Sequence, residues 1–506
     1  MGTDVDQRAL KKKFGFVSQL GLAFVVLTTW TSMAASMNIA LPSGGPVAIL
    51  YGLIVSGVLT MAVALSLAEI CSVYPTNGAQ YEWTAILAPP KYRRILSYIC
   101  GWIVTASWWA LAATGPSLFG TMLVGLIRLF NEDYIFHRWH QFLLYMVVEV
   151  SAFIINTFMT PLIPFLSELS LYISLAGFVS ISIALLVLTK DSYQSAEFVF
   201  TGFLNETGWS NGLAWILGLL QSCFSLTAYD AVAHLVEEMP HPRRDAPRTI
   251  IIAVALGTFT GLIFSICILF AAQNVDDIVT STYTPIVAVF YQAAGSRWGA
   301  VGLCLVIIYI IWFSASEVVT SSARLNAAFA YHQGLPFSPV FARINKRLDL
   351  PFNSMVLTIF MVTVFGLIYL GTPAAFNAIV SACVVGLNCS YAMPIAMLVF
   401  RGRHILPRGP FSLGRYGYSI NVIAFVFLMV TNVFFLFPPD SHPTGSTMNY
   451  AIVAIAVVFL FAAVYWAVHG RKVYQAPQVL DGLECASETI QADTKEGQVE
   501  DTEGMS

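Results

Sequence analysis

The sequence predicts an all-α integral membrane protein with twelve transmembrane helices, and three observations lead to this prediction. Hydrophobic residues make up 57% of the 506 residues and charged residues only 10%, whereas soluble chains carry about 25% charged residues. Twelve apolar runs are long enough to cross about 30 Å of hydrocarbon as helices. When these runs are taken as alternating spans, 21 of the 25 Lys and Arg residues fall on one side.

The apolar runs give the order of the chain. A basic N-terminal segment, residues 1–15, comes before the membrane domain of residues 16–469, and the acidic tail of residues 470–506 has too few apolar residues to fold alone. The predicted spans lie near residues 16–41, 47–70, 97–127, 141–159, 164–189, 211–238, 249–271, 297–324, 354–370, 375–400, 417–437 and 449–469.

The charge distribution also predicts the orientation. The segment "DQRALKKKF" is basic, and the apolar run after it is too long for a cleavable signal peptide. Both termini are therefore expected in the cytosol, and Asn205, in the sequon "NET", is expected outside. The plasma membrane is the expected location, with an organelle such as the vacuole as the alternative. The four basic residues expected on the outer side are Arg128, Arg138, Lys190 and Arg297.

Motifs for enzymatic chemistry, metals and cofactors are not found in the sequence. The stretch "HLVEEMPH" lacks the His-Glu-x-x-His arrangement of zinc hydrolases, and the "NGAQ" turn at Asn77 is interpreted as a plain turn. Of the eight Cys, only Cys485 lies away from the spans, so no disulfide is expected. An enzyme, a metal site, a cofactor and a nucleic-acid partner are therefore not predicted.

Two spans contain polar centres that indicate broken helices. They are "TTWTSMAAS" in the first span and "FSLTAYDAVAHLVEEMP" in the sixth. This separation of five helices is typical of two inverted five-helix repeats, here residues 16–189 and 211–400, with two more helices within 417–469. Such breaks indicate a binding site at the membrane midplane of a secondary transporter. The alternative is that the hydroxyls bond back to carbonyls of intact helices.

Ionisable residues inside spans are the other candidates. Asp230 lies within the sixth span, where a buried acid is a functional hypothesis by default. Glu237 and Glu238 lie at its end and are expected to pair with nearby Arg residues or to form a gate. Glu317 in the eighth span is expected first to pair with Arg324 or with another helix, and otherwise to carry a proton or to bind an ammonium group.

Five segments carry a resemblance to a known family. They are "WTSMAASMNIALPSGGP" (30–46), "SLAEICSVYPTNGAQYEW" (66–83), "LAPPKYRRILSYICGW" (87–102), "TAYDAVAHLVEE" (227–238) and "SSARLNAAFAYHQGLPFS" (321–338). Together they resemble the fungal amino acid/choline permeases, which include γ-aminobutyrate permeases, of the amino acid-polyamine-organocation superfamily. The resemblance implies the broken-helix fold and the uptake of an amino acid, γ-aminobutyrate, choline or a polyamine.

The sequence departs from that family at three places. Ser32 and Ala228 stand where the family usually has glycine, which implies a narrower pocket and a stiffer break. After the eighth span the family's usual Ala-Arg-Asp is replaced by Ala330, Tyr331 and His332, which removes an expected ion pair.

The prediction is a permease that imports a small amine-bearing solute by alternating access. An amino acid or γ-aminobutyrate is favoured, with proton coupling implied by the resemblance. The alternatives are choline or a polyamine, and after these a sensor or a channel. The predicted substrate-binding residues are Trp30, Thr31, Ser32, Met33, Ala34, Trp108, Ser225, Thr227, Ala228, Tyr229, Asp230 and Trp312. The coupling or gating candidates are Glu69, Glu237, Glu238, Glu317 and Arg324.

Overall fold

The computed structural model describes residues 12–131, 133–281, 283–371, 375–445 and 448–478. Within these ranges twelve helices are long and apolar enough to span a membrane, so the predicted all-α fold is confirmed. Spans 1 to 12 are, in order, Phe16–Ala35, Gly45–Val73, Arg93–Phe130, Arg138–Phe158, Thr160–Leu188, Asn211–Glu238, Pro242–Ala271, Arg297–Tyr331, Phe352–Gly371, Asn377–Arg401, Gly414–Phe434 and Ala451–Val473. Most of the predicted N-terminal segment and tail, with Cys485 and Glu132, lies outside the described residues.

Short helices connect the spans. Span 1 continues into Met37–Ala40, and Gln80–Leu87 joins spans 2 and 3. The others are Ala196–Thr201, Val275–Thr280, Pro285–Ala294 and Ser338–Phe341.

The number of spans places both described chain ends on one side of the bundle. We call this side, where span 1 begins and span 12 ends, the terminal side, and the opposite side the far side. The ends are held there: the Lys13 and Phe14 amides donate to the Glu238 carbonyl at 2.9 and 3.2 Å, and the Gln475 amide donates to the His332 carbonyl at 3.0 Å.

Span 1 is broken at Thr28. The helix Phe16–Leu27 ends there, and Thr28 has a left-handed backbone with φ 47° before the helix Thr29–Ala35 begins. A β-branched residue seldom takes this conformation. The helix Phe16–Leu27 is rich in apolar residues, so it packs among the other spans. The segment that follows, from Thr28 to Ser32, carries hydroxyl groups that can hydrogen-bond the backbone where the helix is interrupted.

Span 6 is broken at the corresponding place in the second repeat. The helix Asn211–Ser225 ends before Ala228, whose φ is 71°, and the chain continues as the 3-10 helix Tyr229–Glu238. Ten residues are long for a 3-10 helix, and such stretches mark strain or a hinge. The first half of span 1 lies against the second half of span 6, and the second half of span 1 lies against the first half of span 6. Both halves of span 1 and the second half of span 6 also contact span 8. The predicted pair of broken helices is therefore present.

Candidate substrate site

A cavity of about 30 Å³ lies between the two breaks and spans 3 and 8. It has room for about two water molecules. Its apolar wall includes Leu111, Gly115, Phe224 and Ala315, and none of its lining side chains among the described residues is charged. Its polar groups are hydroxyls, from Thr28, Ser32, Thr114, Thr227 and Ser314.

Hydroxyl groups stabilise the break in span 1. The Thr28 and Ser32 hydroxyls lie 2.7 Å apart in a hydrogen bond, and the Thr31 hydroxyl donates to the Thr28 carbonyl at 2.9 Å. The Ser32 amide donates to the same carbonyl at 2.7 Å. Ser32 itself lies inside the helix Thr29–Ala35, so the residue that needs an unusual backbone is Thr28 and not the predicted Ser32.

The break in span 6 leaves Ala228 as its strained residue. The Thr227 hydroxyl donates to the Cys223 carbonyl at 2.6 Å, and the same carbonyl accepts from the Leu226 amide at 3.3 Å, so the last turn of this helix is closed by two donors. Ala228 is fully buried, and a left-handed backbone costs a non-glycine residue about 1–2 kcal/mol. Alanine in place of the family's glycine therefore strains the backbone at position 228.

Asp230 lies just beyond this break and is the centre of a buried polar network. Its side chain is 1% exposed. One carboxylate oxygen accepts from the Tyr391 hydroxyl at 2.5 Å. The other accepts from the Gln80 amide at 2.7 Å and lies 3.2 Å from His234 Nε2 and 3.4 Å from Trp108 Nε1. Four chain segments, from span 3, the loop after span 2, span 6 and span 10, are thus joined through one carboxylate.

The predicted turn at Asn77 is present, and it is also part of this network. The Asn77 carbonyl lies 2.8 Å from His234 Nδ1, and its side-chain oxygen accepts from the Glu237 amide at 3.3 Å. Together with Gln80 this turn holds the 3-10 helix of span 6. Its role has no local sequence signal, because it depends on a helix more than 150 residues away.

A buried ion pair joins spans 6 and 8 on the terminal side. Arg324 Nε lies 2.7 Å from Glu238 Oε1, and the two side chains are 4% and 1% exposed. The prediction that Glu238 pairs with an Arg is therefore confirmed, whereas Glu317 does not pair with Arg324 and is bonded to another helix, the second of its predicted structural partners. Arg324 points instead across to span 6, where its charge compensates a carboxylate that would otherwise be buried alone.

Glu317 contacts span 5. One of its oxygens accepts from the Ser167 hydroxyl at 2.5 Å, and the other has no hydrogen-bond partner among the described residues. The Ser167 carbonyl faces Gly21 of span 1 so closely that a side chain at Gly21 would collide with it. Glu317 therefore lies directly behind the terminal-side half of span 1. The buried Glu149 of span 4 has no hydrogen-bond partner for either oxygen among the described residues.

The remaining coupling candidates lie at the terminal side. Glu69 of span 2 accepts from Arg403 at 2.6 Å and from the Leu413 amide at 2.9 Å, so it fastens the loop between spans 10 and 11. Glu237 has an exposed side chain. Neither borders the central cavity.

His332 has an acidic partner despite the altered motif. Its Nε2 lies 3.6 Å from Glu82 Oε1 in the loop helix Gln80–Leu87. Burial acts to raise the pKa of the Glu82 carboxyl, but the hydrogen bond and charge of His332 and a hydrogen bond from Tyr81 outweigh it, so the pKa is lowered. A contact between an acid and a His is therefore present near the position where the family pattern implied a lost pair.

Two of the predicted aromatic residues face away from the cavity. The Trp30 indole donates to Ser174 of span 5 at 2.9 Å, and its ring lies edge-on to Phe264 at 4.7 Å. The Trp312 indole donates to Ser151 of span 4 at 2.7 Å. Both side chains hold neighbouring spans together.

The other predicted residues surround the cavity or the network. Tyr229 lies against Tyr391, with ring centroids 5.1 Å apart. The Met33 carbonyl accepts from the Gln221 amide at 2.6 Å, which ties the far-side halves of spans 1 and 6. Ala34 is buried, and the Ser225 hydroxyl is buried without a partner among the described residues. Of the twelve predicted substrate residues, only Ser32 and Thr227 line the cavity itself.

Similar proteins agree with this architecture. The amino acid permease family matches residues 14–460. A choline transporter of Saccharomyces cerevisiae is 34% identical over 469 residues, which cover 92% of this chain and 83% of the relative. Amino-acid permease BAT1 of Arabidopsis thaliana is 29% identical over 492 residues, covering 93% and 94% of the two chains. Amino-acid permease 2 of Neurospora crassa is 27% identical over 470 residues, covering 92% and 86%.

These matches extend over nearly all twelve spans. The chain belongs to the amino acid permease family and is a multi-pass membrane transporter.

Proposed function

We propose that this permease carries a small zwitterionic amino acid, such as γ-aminobutyrate or a short α-amino acid, and holds it between the two breaks in a conformation whose central cavity is wider than the about 30 Å³ of this structure. The observation behind this proposal is that both breaks meet at one cavity lined by five hydroxyl groups and by no charged side chain among the described residues. A zwitterion brings both charges itself. Helix ends can match them, since amides at a helix N-terminus attract anions and carbonyls at a C-terminus attract cations.

Each charge has a suitable helix end. The helix Thr29–Ala35 begins at the first break, so its first amides favour the carboxylate. The helix Asn211–Ser225 ends at the second break, so its last carbonyls favour the ammonium group. The two hydroxyls at Thr28 and Ser32 lie beside the first of these ends and add hydrogen-bond donors.

Choline is the second candidate, favoured by the likeness to a choline transporter. A quaternary ammonium needs an aromatic wall or an acid. Phe224 is the aromatic side chain in the cavity lining, and Asp230 is engaged by four protein groups. Choline binding would therefore require the Asp230 network to open, whereas a zwitterion does not need this.

We further propose that the ion pair between Glu238 and Arg324 is the terminal-side gate and that this side faces the cytosol. The pair joins the second half of span 6 to span 8, and Lys13 and Phe14 of the N-terminal segment close over Glu238. The cytosolic orientation is supported by the 21 of 25 basic residues predicted for that side. Opening toward the cytosol then requires the pair to separate, which exposes both charges to water. The plasma membrane is the proposed location.

Glu317 is the proposed proton carrier. An ionised carboxylate is costly inside a membrane protein, and this one has one hydroxyl donor and no cation within salt-bridge distance among the described residues. Ser167 contacts both Glu317 and Gly21 of span 1. Gain or loss of a proton at Glu317 therefore changes the hydrogen bond to Ser167, and through it the packing of span 5 against span 1. Glu317→Gln should flatten the pH dependence of uptake, and Glu149→Gln, another buried acid in a span, is the matched control. If Glu317→Gln leaves the pH profile of uptake unaltered, Glu317 is not the proton carrier.

The substrate class is tested by ligand-dependent thermal stabilisation of the purified protein. The probes are γ-aminobutyrate, butylamine, butyrate, choline and short α-amino acids. A ligand at 100 times its Kd stabilises by about 2.7 kcal/mol. We expect stabilisation by a zwitterion and not by butylamine or butyrate, because each of these lacks one charge. Stabilisation by choline alone would overturn the amino acid proposal.

A further inference from the structure

His234 lies inside the polar network around Asp230, and both of its ring nitrogens are engaged. The side chain is fully buried in the 3-10 helix Tyr229–Glu238. Its Nδ1 lies 2.8 Å from the Asn77 carbonyl oxygen, and its Nε2 lies 3.2 Å from Asp230 Oδ2. The Trp108 indole packs at right angles to the imidazole, with ring centroids 5.1 Å apart, and helps to fix the direction of both nitrogens.

These two contacts determine how many protons the pair carries. A carbonyl oxygen and a carboxylate oxygen only accept hydrogen bonds, whereas a neutral imidazole has one N–H and one bare nitrogen. A neutral His234 beside an ionised Asp230 would therefore direct a lone pair at one of two acceptors. Both contacts are satisfied together only when the pair of His234 and Asp230 holds one additional proton.

The other partners of Asp230 place this proton on the histidine. Gln80 and Trp108 direct N–H groups at the same carboxylate oxygen that faces His234, at 2.7 and 3.4 Å. An ionised carboxylate accepts all of these donors, whereas a protonated oxygen would have to donate among them. Among the described residues, His234 is the one cation within 4.0 Å of Asp230, so its charge compensates the buried carboxylate.

The elements packed around the pair bring no competing charge to it. The groups that face it from the loop after span 2, from span 3 and from span 10 are uncharged ones: Asn77, Gln80, Trp108, Cys383 and Tyr391. Span 1 has no ionisable side chain within Phe16–Leu27. On the terminal side, Arg324 of span 8 is paired with Glu238, and Glu69 of span 2 with the loop between spans 10 and 11. The charged residues of span 7 lie within residues 243–248, in its first two turns.

We propose that His234 is a buried proton switch, whose imidazolium form holds the second half of span 6 against the turn at Asn77 and whose deprotonation releases it. Without the proton, either the Asn77 contact or the Asp230 contact has to open. The same turn accepts from the Glu237 amide at 3.3 Å, so its separation frees the end of the 3-10 helix. A 3-10 helix of this length, which follows the strained Ala228, is a segment suited to such a movement. The released proton passes to water on the terminal side.

This proton is separate from the one assigned to Glu317. Glu317 of span 8 is bonded to span 5, whereas His234 joins span 6 to the loop after span 2. The effect of the switch on opening rests on the proposed gate of Glu238 and Arg324. The protonation of the ring is measured without substrate or uptake, so it can be refuted while the gate stands.

Nitrogen NMR of the full-length protein in nanodiscs, labelled with 15N-histidine, counts the protons on the ring. The His234 signals are assigned by their absence in His234→Gln. At about pH 7.5 an unperturbed histidine is about nine-tenths neutral, but we expect both His234 nitrogens to carry a proton. One bare nitrogen on His234 at this pH would overturn the proposal. Asp230→Asn removes the counter-charge and should make His234 neutral, whereas Asp191→Asn, at an exposed position, should not; a doubly protonated His234 in Asp230→Asn would also contradict it.

Hydrogen–deuterium exchange across residues 229–238 measures the release of the 3-10 helix. After correction for the intrinsic pH dependence of exchange, protection should fall severalfold between about pH 6 and about pH 9, where histidine loses its proton. His234→Gln has no proton to lose and should show no such fall. His469→Gln makes the same substitution at an exposed position near the end of span 12 and should retain it. Protection independent of pH in the unaltered protein, or an equal fall in His234→Gln, would refute the switch.

Discussion

Replacing Asp230 by Asn tests whether the buried carboxylate holds the bundle in the conformation seen here. The carboxylate accepts from Tyr391 and Gln80 at 2.5 and 2.7 Å and has His234 and Trp108 within 3.4 Å. Asn has one acceptor oxygen and turns an amide group toward the remaining donors. Hydrogen bonds to a charged group contribute about 1.5–3 kcal/mol and neutral ones about 1 kcal/mol. The network should therefore lose about 2–4 kcal/mol.

That loss is large compared with the energies that separate transporter conformations. Since 1.4 kcal/mol is a factor of ten, about 2–4 kcal/mol shifts a two-state equilibrium roughly 30- to 700-fold. We expect Asp230→Asn to lower uptake to near background and to lower the melting temperature, while the protein stays monodisperse in detergent. Uptake is measured in proteoliposomes and normalised to reconstituted protein.

Two controls make this result interpretable. Asp191→Asn makes the same chemical change at an exposed position and should leave uptake unchanged. Tyr391→Phe removes one donor and should give an intermediate loss. Uptake by Asp230→Asn within a factor of two of the unaltered protein would refute the role assigned to this network.

Three further predictions follow from the breaks and the terminal side. Gly115→Ala places a methyl group 3.3 Å from Ala315 at the cavity, so it should weaken substrate binding severalfold, whereas Gly302→Ala meets open space and should not; equal affinities would contradict the cavity assignment. Ala228→Gly should raise the unfolding free energy by about 1 kcal/mol, because glycine tolerates the left-handed backbone, and a lower melting temperature would refute the strain. His332→Gln should destabilise the protein at pH 7. Its acidic partner in the loop helix Gln80–Leu87 is Glu82, whose pKa is lowered in the folded protein. The ionised carboxylate therefore stabilises the fold above about pH 4.3, and this stabilisation is lost as the pH falls further. A pH-independent stability difference would contradict this contact.

The membrane architecture is predictable from sequence because lipid imposes a long apolar run on every span. The hydroxyl-rich segment in span 1 and the acid in span 6 likewise indicate where regular helix fails. The resemblance pointed to Ala228 as the position of the family's glycine, whereas Thr28 follows only from the backbone, since threonine does not favour a left-handed conformation.

The partners of the ionisable groups are not predictable in the same way. Glu317 was expected to pair with Arg324 or with another helix, and only the structure shows that Arg324 contacts span 6 while Glu317 contacts span 5. Tyr391 and Gln80 carry no local sign that they bind Asp230, because their roles depend on how distant spans meet. Tryptophans inside spans suggested a ligand wall, yet Trp30 is used to join spans.

The central claim is that a zwitterion is held between the breaks of spans 1 and 6. The most direct measurement is uptake of radiolabelled γ-aminobutyrate and short α-amino acids, in parallel with choline, into proteoliposomes that contain the purified protein. We expect saturable uptake of at least one zwitterion, inhibited by other zwitterions and reduced by Gly115→Ala. Saturable uptake of choline with no uptake of any zwitterion would contradict it.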